Sequence, residues 1–306
     1  MAAWGDQQAF LAVVETGSLS AAARQLRLTQ PTVRHRIEAL EHATGTALFI
    51  RAPNGLIPTE QARELAAHVR TMHLASEAFF RSASGQPGTL TGSIRLSASD
   101  FMGTFVLPPM LRDLRQAHPK LAMELAISNS LVDLLGQEAD IAIRMNRPKQ
   151  AALVARQVGT VPLSFFAHVD YVARKGLPQS PEELTQHDLI GPDRAQADLA
   201  VVEAFAPKVG RQAFGLRTDS HPAQFTAIRS GLGIGVLQRP VGLRHADLVP
   251  VLPETVVHEL PIWIVTHEDL RRTPRIKTVY DYLVQQYQTY CRSSGEPQPK
   301  AVENGA

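Results

Sequence analysis

The chain has 306 residues, 31 lysines and arginines against 29 acids for a formal net charge of +2, and a single cysteine, Cys291. At about 150 residues per domain it has room for two domains. Its 44% hydrophobic and 20% charged residues are the balance of a globular chain, not a collagenous, disordered or membrane-embedded one. One cysteine excludes an internal disulfide, a CxxC redox pair and a cysteine zinc cage, and no apolar run approaches the ~20 residues of a membrane span. Asp6 and Glu15 interrupt what would be the apolar segment of a signal peptide, so a cytoplasmic location is expected.

The near-neutral total hides a local pattern. Between residues 24 and 51, five arginines (Arg24, Arg27, Arg34, Arg36 and Arg51) stand against two acids, Glu38 and Glu41. A first helix is expected over residues 6–17, with Phe10, Leu11, Val13 and Val14 on its apolar side and Gly17 as its stop. Ser18 or Ser20 then caps a second helix running to Arg27. Thr29 caps a third, with Pro31 in its first turn, where a missing N–H costs little. Val33, Ile37 and Leu40 fall at i, i+4, i+7 and form one narrow apolar stripe. The other faces carry Gln30, Thr32, Arg34, His35 and Arg36. Two short helices joined by a tight turn, the second presenting such side chains from its first turns, have what a helix-turn-helix needs in the major groove. Periodicity alone also fits a polar-faced helix pair that touches no nucleic acid.

Residues 48–59 read as two short extended pieces around Pro53, Asn54 and Gly55, a strong turn signal. Arg51 at the base of this wing is expected to contact phosphate. Thr59 suits either that role or an ordinary helix cap. From Thr59 to Arg81 there is no glycine or proline, and Ala62, Leu65, Val69, Met72, Ser76 and Phe79 recur at alternating steps of 3 and 4, the seam of a short coiled coil. Such a seam packs either on its own N-terminal domain or on a second copy, and Leu65, Val69, Met72 and Phe79 are the dimerisation candidates. Residues 82–92, rich in Ser, Gly and Pro, read as a hinge.

Beyond the hinge, strands over 94–99, 121–127 and 140–144 alternate with helices over 102–117 and 130–137, which predicts an α/β domain with parallel strands. Ligands of such sheets bind beyond the carboxyl ends of strands, near helix N-termini. That rule selects Ser99 and Asp100, then Ser128, Asn129 and Ser130, then Thr218, Asp219 and Ser220, with Phe101 beside the first of these, although the polar side chains are equally placed to cap helices. Phe165 and Phe166 lie on opposite faces of a strand, so one belongs to the core and the other, taken as Phe165, to a cleft. Asp100 and Asp219 suggest a ligand with a donor or cationic group. The spaced glycines Gly231, Gly233 and Gly235 follow a helix and precede a strand, the wrong order for a dinucleotide fingerprint; Gly233 is expected at the cleft edge.

The N-terminal residues resemble the LysR-type transcriptional regulators. The resemblance is carried by Phe10 to Glu15, Gly17 to Ala23, Leu26, Thr29 to Val33, Ile37, Leu40, Glu41, Gly45, Leu48, Phe49, Arg51 and Thr59, and more weakly by Leu107, Pro108, Pro109, His118, Pro119, Asp140 to Arg144 and Gly231 to Gly235. It implies an α-helical winged helix-turn-helix over 1–58, a linker and dimerisation helix over 59–81, the hinge over 82–92 and a two-lobed effector-binding domain over 93–292 that looks like a periplasmic binding protein. Lobe one would span about 93–161 and 266–292, lobe two 162–265, with hinges near Val161 and Val265. The polar tail over 293–306 is expected to be disordered.

The resemblance further implies a sequence-specific, effector-controlled regulator and not an enzyme. Its partners would be double-stranded operator DNA, a small-molecule effector between the lobes, a second or fourth copy of itself and RNA polymerase, with no cofactor, metal or membrane. DNA contacts fall on Ser20, Thr29, Gln30, Pro31, Thr32, Arg34, His35, Arg36 and Arg51. The sequence departs from the family's usual pattern at Arg34, His35 and Arg36, which bears on the operator read, and at Ala62, where a glycine is usual. The competing readings are a cytoplasmic small-molecule-binding protein and an enzyme. The first leaves residues 1–81 unexplained, and the second finds no H-E-x-x-H, G-x-S-x-G or P-loop. Residues 1–89 carry eight arginines against seven acids, so DNA affinity is expected to rest on dimerisation and base contacts more than on bulk charge.

Overall fold

The computed structural model describes residues 3–53, 55–83, 90–129, 139–148, 153–205 and 210–293. Asn54, Ser130, the helix expected over 130–137, most of the 82–92 hinge and the tail beyond Ser293 lie outside the described residues. Two compact units are present, the first reaching Ala83 and the second beginning after it.

The first unit contains α1 (Trp4–Thr16), α2 (Leu19–Leu26), α3 (Gln30–Thr44), β1 (Phe49–Ala52), β2 (Gly55–Pro58) and α4 (Glu60–Ala83). Gly17 and Gly45 end α1 and α3 at φ 68°, a left-handed conformation that favours glycine. Ser18, not Ser20, caps α2 by accepting the Ala21 N–H, and Thr29 caps α3 by accepting the Thr32 N–H. Phe10, Val13, Ala22, Val33, Leu48 and Ala62 are fully enclosed in one core to which α4 contributes its first turns. β1 and β2 form the antiparallel wing, with Arg51 opposite Leu56. The Leu56 N–H donates to the Gly17 carbonyl at 2.9 Å, which ties the wing to the end of α1.

The second unit opens with β3 (Gly92–Ala98), a wide π turn (Met102–Val106), α5 (Leu107–Ala117), β4 (Leu121–Ile127), β5 (Ile141–Arg144) and β6 (Leu153–His168). The helix expected over 102–117 starts as a π turn because Pro108 and Pro109 have no N–H to give to the preceding turn. There follow α6 (Val169–Lys175), β7 (Leu189–Gly191), α7 (Gln196–Phe205), β8 (Phe214–Arg217), α8 (His221–Arg229), β9 (Gly235–Gln238), α9 (Arg239–Leu243), β10 (Leu248–Val251), β11 (His258–His267), α10 (Glu268–Arg271) and α11 (Pro274–Arg292).

β3 pairs in parallel with β4 and β5, as the strand and helix alternation predicts. The sheet is nevertheless mixed, since β11 runs antiparallel to both β5 and β6. β11 brings the chain back along β6, the strand that carried it out, and so must run the opposite way. The far half of β6 pairs with β10 and β9 within the same seven-stranded sheet, and from Ile234 an isolated parallel bridge reaches Leu189 of β7, which pairs with β8 in a separate two-stranded sheet. Two lobes thus share β6 and β11. The two expected hinge positions are not opposite each other in the sheet: Val161 pairs with Leu260, whereas Val265 pairs with Ala155 and Ala142 inside lobe one. Where one strand of an antiparallel pair leaves a lobe, its partner enters at the residue hydrogen-bonded across from it.

Candidate functional site

The first candidate surface is the N-terminal half of α3. Val33, Ile37 and Leu40 are buried, which turns Gln30, Pro31, Arg34 and His35 to solvent together with the capping Thr29. The Thr29 and Thr32 hydroxyls lie 2.7 Å apart and hold each other at the helix start. Ser20, released from capping, is exposed on the first turn of α2, and Arg51 is exposed on the wing. Arg36 stands apart: it is half-buried, and its Nη1 donates to the Gly5 carbonyl at 3.2 Å, joining α3 to α1. Thr59 acts as a cap, accepting the Ala62 N–H and donating to the Ala47 carbonyl.

The seam expected along α4 divides into two parts. Val69 is buried and Leu65 half-buried against the first unit's own core, together with Ala62 and Ala66, so within one chain these two dimerisation candidates take part in intradomain packing. Their turns of α4 lie against α1, which occupies that face. Farther along, Met72, Phe79 and Phe80 are exposed, and the two phenylalanine rings meet edge to face at 5.5 Å.

The second candidate site is a cavity of about 730 Å³ where β6 and β11 pass between the lobes, within the roughly 300–1,000 Å³ of small-molecule pockets. Of the residues selected from sequence, Ser99, Phe101, Ser128, Asn129, Phe165 and Asp219 line it. Phe165 faces the cavity and Phe166 is fully buried in the core, as their alternation on one strand requires. Thr218 does not line it; its carbonyl accepts from the Gln224 amide and its hydroxyl from the Ser220 N–H. Gly233 does not line it either. Its missing side chain lets the chain press against the Asp188 carbonyl, which accepts the Ile234 N–H at 2.8 Å, and a Cβ would collide there.

Both acids that suggested a cationic ligand are engaged within the protein. Asp219 Oδ1 accepts the N–H groups of Asp193, Arg194 and Ala195 at 2.8, 2.8 and 3.0 Å, and these bonds, that of Ala195 foremost, hold its carboxyl below the usual range. Asp100 Oδ1 lies 3.2 Å from His221 Nδ1, while His221 Nε2 lies 3.1 Å from Asp198 Oδ2. Asp100 follows β3 in lobe one, whereas Asp198 and His221 stand in the first turns of α7 and α8 in lobe two, so the imidazole bridges the lobes. Its bonds to Asp100 and Asp198 raise the His221 pKa to about 10 despite partial burial, so the ring is cationic at neutral pH. Burial pushes the Asp100 carboxyl up, yet the hydrogen bond and charge of His221 outweigh it and hold it lower than usual.

Sequence reasoning missed His221, Asp198, Arg144 and Gln238. Arg144 Nη2 donates to Ser97 Oγ at 2.8 Å beneath the cavity, and the Gln238 Oε1 accepts the Tyr290 hydroxyl at 2.6 Å. It also missed the apolar side of α7, although the close spacing of Val201, Val202 and Phe205 is a visible signal. Among the described residues no helix is long and apolar enough to cross a membrane.

Comparison with known proteins agrees with this architecture. Residues 4–63 match the model of the bacterial regulatory helix-turn-helix proteins of the lysR family, and residues 87–288 match the LysR substrate binding domain. The Mau operon transcriptional activator of Paracoccus denitrificans is 29% identical over 91% of this chain and 94% of its own. The probable HTH-type transcriptional regulator LtrA of Klebsiella pneumoniae is 25% identical over 95% of this chain and 97% of its own. In fold, full-length CbnR, solved in complex with its target DNA, superposes with a TM-score of 0.66 at 18% identity, covering 96% of this chain and all of that one. The Vibrio cholerae virulence activator AphB gives a TM-score of 0.61 at 22% identity over 92% of this chain and 98% of its own. With both family models matched in sequence order and spanning most of its length, the chain belongs to the LysR family of transcriptional regulators, DNA-binding transcription factors with an effector-binding C-terminal domain.

Proposed function

We propose that α3 enters the major groove of operator DNA with Gln30, Arg34 and His35 toward base edges, and with Thr29, Thr32, Ser20 and Arg51 toward phosphates. The observation that carries this reading is the division of α3 itself, a buried stripe of Val33, Ile37 and Leu40 beneath exposed Gln30, Arg34 and His35. Arg36, held by Gly5, positions α3 on α1 and contributes to DNA mainly through its charge.

Two copies pair through the far half of α4, where Met72, Phe79 and Phe80 offer an apolar surface to a second helix. Pairing doubles the half-sites read and so compensates for a small cationic footprint. Tetramers and a contact with RNA polymerase are natural extensions, and the site of action is the cytoplasm, where operator DNA is found. The effector occupies the interlobe cavity, with hinges at Val161 and Leu260, and its binding favours one lobe arrangement over another.

The test is a gel shift of the purified full chain on its own upstream intergenic DNA at moderate salt. A retarded complex that competes with unlabelled specific DNA but not with unrelated DNA is expected. Equal competition by both would remove base readout by α3 from the account.

A further inference from the structure

The polar and apolar linings of the cavity come from different places. Ser99, Ser128, Asn129, Arg144 and Asn146 follow or end the strands of lobe one, and Asp198, His221 and Gln224 lie in the early turns of α7 and α8. Apart from those helix-start groups and Asp219, Gln238 and His258, lobe two lines the cavity with aliphatic and aromatic side chains, among them Phe165, Val201, Phe205, Phe214, Val236 and Val257. Phe205 packs on Phe165 at 5.4 Å, so this wall is a continuous apolar surface.

α7 supplies a second observation. It carries Leu199, Val201, Val202 and Phe205, yet none of its residues is buried. A helix this apolar ordinarily completes a core. Here the space between α7 and the β6, β9, β7 and β8 strands is cavity, and atoms facing a void lose the dispersion contacts that packing would give. A polar molecule placed there would give up its hydrogen bonds to water without replacement.

We infer that the effector class of this protein is an amphipathic small molecule with one polar head and a sizeable apolar body, a ring system or a medium-length chain. The head sits among the hydroxyl and amide groups of lobe one. The body inserts beneath α7 and completes the lobe-two core. Compact polar metabolites such as short dicarboxylates, amino acids and sugars leave the apolar chamber unfilled and are not its effectors. This rests on the reading that the interlobe cavity is the effector site.

The test is isothermal titration calorimetry of the full chain with straight-chain carboxylates from butanoate to decanoate, and with decanedioate, which carries a second charge into the chamber. The expected result is a rise in affinity along the ladder, up to about fourfold per methylene, with a negative heat-capacity change for decanoate. Decanedioate should bind at least tenfold more weakly than decanoate. Val201→Asp, which puts a charge into the chamber, and Val201→Trp, which fills it, should each lower decanoate affinity at least tenfold while leaving butanoate within threefold. A flat ladder, no binding by any member, or decanedioate equal to decanoate overturns the inference, and the wild-type ladder decides this even if a variant fails to fold. Binding of decanoate that the two Val201 variants leave intact also overturns it, since the body would then lie elsewhere. A gel shift from the same preparation reads the DNA-binding assignment separately: operator binding with a flat ladder overturns only the ligand class.

Discussion

Replacing His221 by Gln removes the cation that joins Asp100 of lobe one to Asp198 of lobe two. A pKa raised from 6.5 to about 10 corresponds nominally to about 5 kcal/mol. The imidazole is still 39% exposed, however, and Asp198 34%, so water and salt screen both pairs. Exposed ion pairs contribute about 0.2–1 kcal/mol each, which brings the two together to roughly 0.4–2 kcal/mol. In an effector domain of this size that is a melting shift of roughly 1–8 °C. Because the folded pKa of His221 is raised, its contribution is complete below pH 6.5 and falls away as pH climbs through about 10. Asp100, held lower than usual, sets the acid limit: its contribution is lost as pH falls through its depressed folded pKa. Scanning calorimetry of the full chain and of His221→Gln should therefore give a large difference in melting temperature at pH 6 that shrinks by pH 10. A difference that stays constant from pH 6 to pH 10 would mean that His221 acts by packing alone, and the bridge would carry no charge-dependent stability.

Arg34→Ala should weaken operator binding and relax discrimination at one base position by about 1–3 kcal/mol, measured by fluorescence anisotropy on operator and point-altered duplexes. Arg36→Ala should lower affinity on all sequences alike and also lower the melting temperature, because it removes the Nη1 bond to Gly5; a variant of unchanged stability would contradict that structural role. Phe79→Asp should shift sedimentation toward monomer. Val69→Ala should instead destabilise the first unit by about 1–3 kcal/mol, and the reverse pattern would restore Val69 to the subunit seam. Gly233→Ala should cost roughly 1–3 kcal/mol or more through the collision with the Asp188 carbonyl, read from chemical denaturation.

The helix-turn-helix was legible because its signals act over a few residues. Ser18, Thr29, Gly17 and Gly45 cap or stop helices through their immediate neighbours, and the Val33, Ile37 and Leu40 stripe needs only the helical period. The ends of β3 and β4 were located for the same reason, and Ser99, Ser128 and Asn129 line the cavity as the strand-end rule requires. The rule failed for Thr218, which is engaged by Gln224 and Ser220, and the separate expectation for Gly233 failed because what that glycine admits is the carbonyl of Asp188, beside the bridge between Leu189 and Ile234.

The sequence by itself therefore determined the winged helix-turn-helix, the long α4, the strand and helix alternation of the second unit and the family. All of these are written in local periodicity, capping and spacing. The tertiary structure decided which of those side chains remain available. It bound Asp219 to a loop 24 to 26 residues away and Asp100 to a histidine 121 residues away. It packed Leu65 and Val69 against the core of their own unit, and strand register set Leu260, not Val265, opposite Val161. It also left an apolar chamber beneath α7. Each of these outcomes depends on contacts between segments far apart in the chain, and no local pattern states which polar group a distant segment will claim or which apolar face it will leave uncovered.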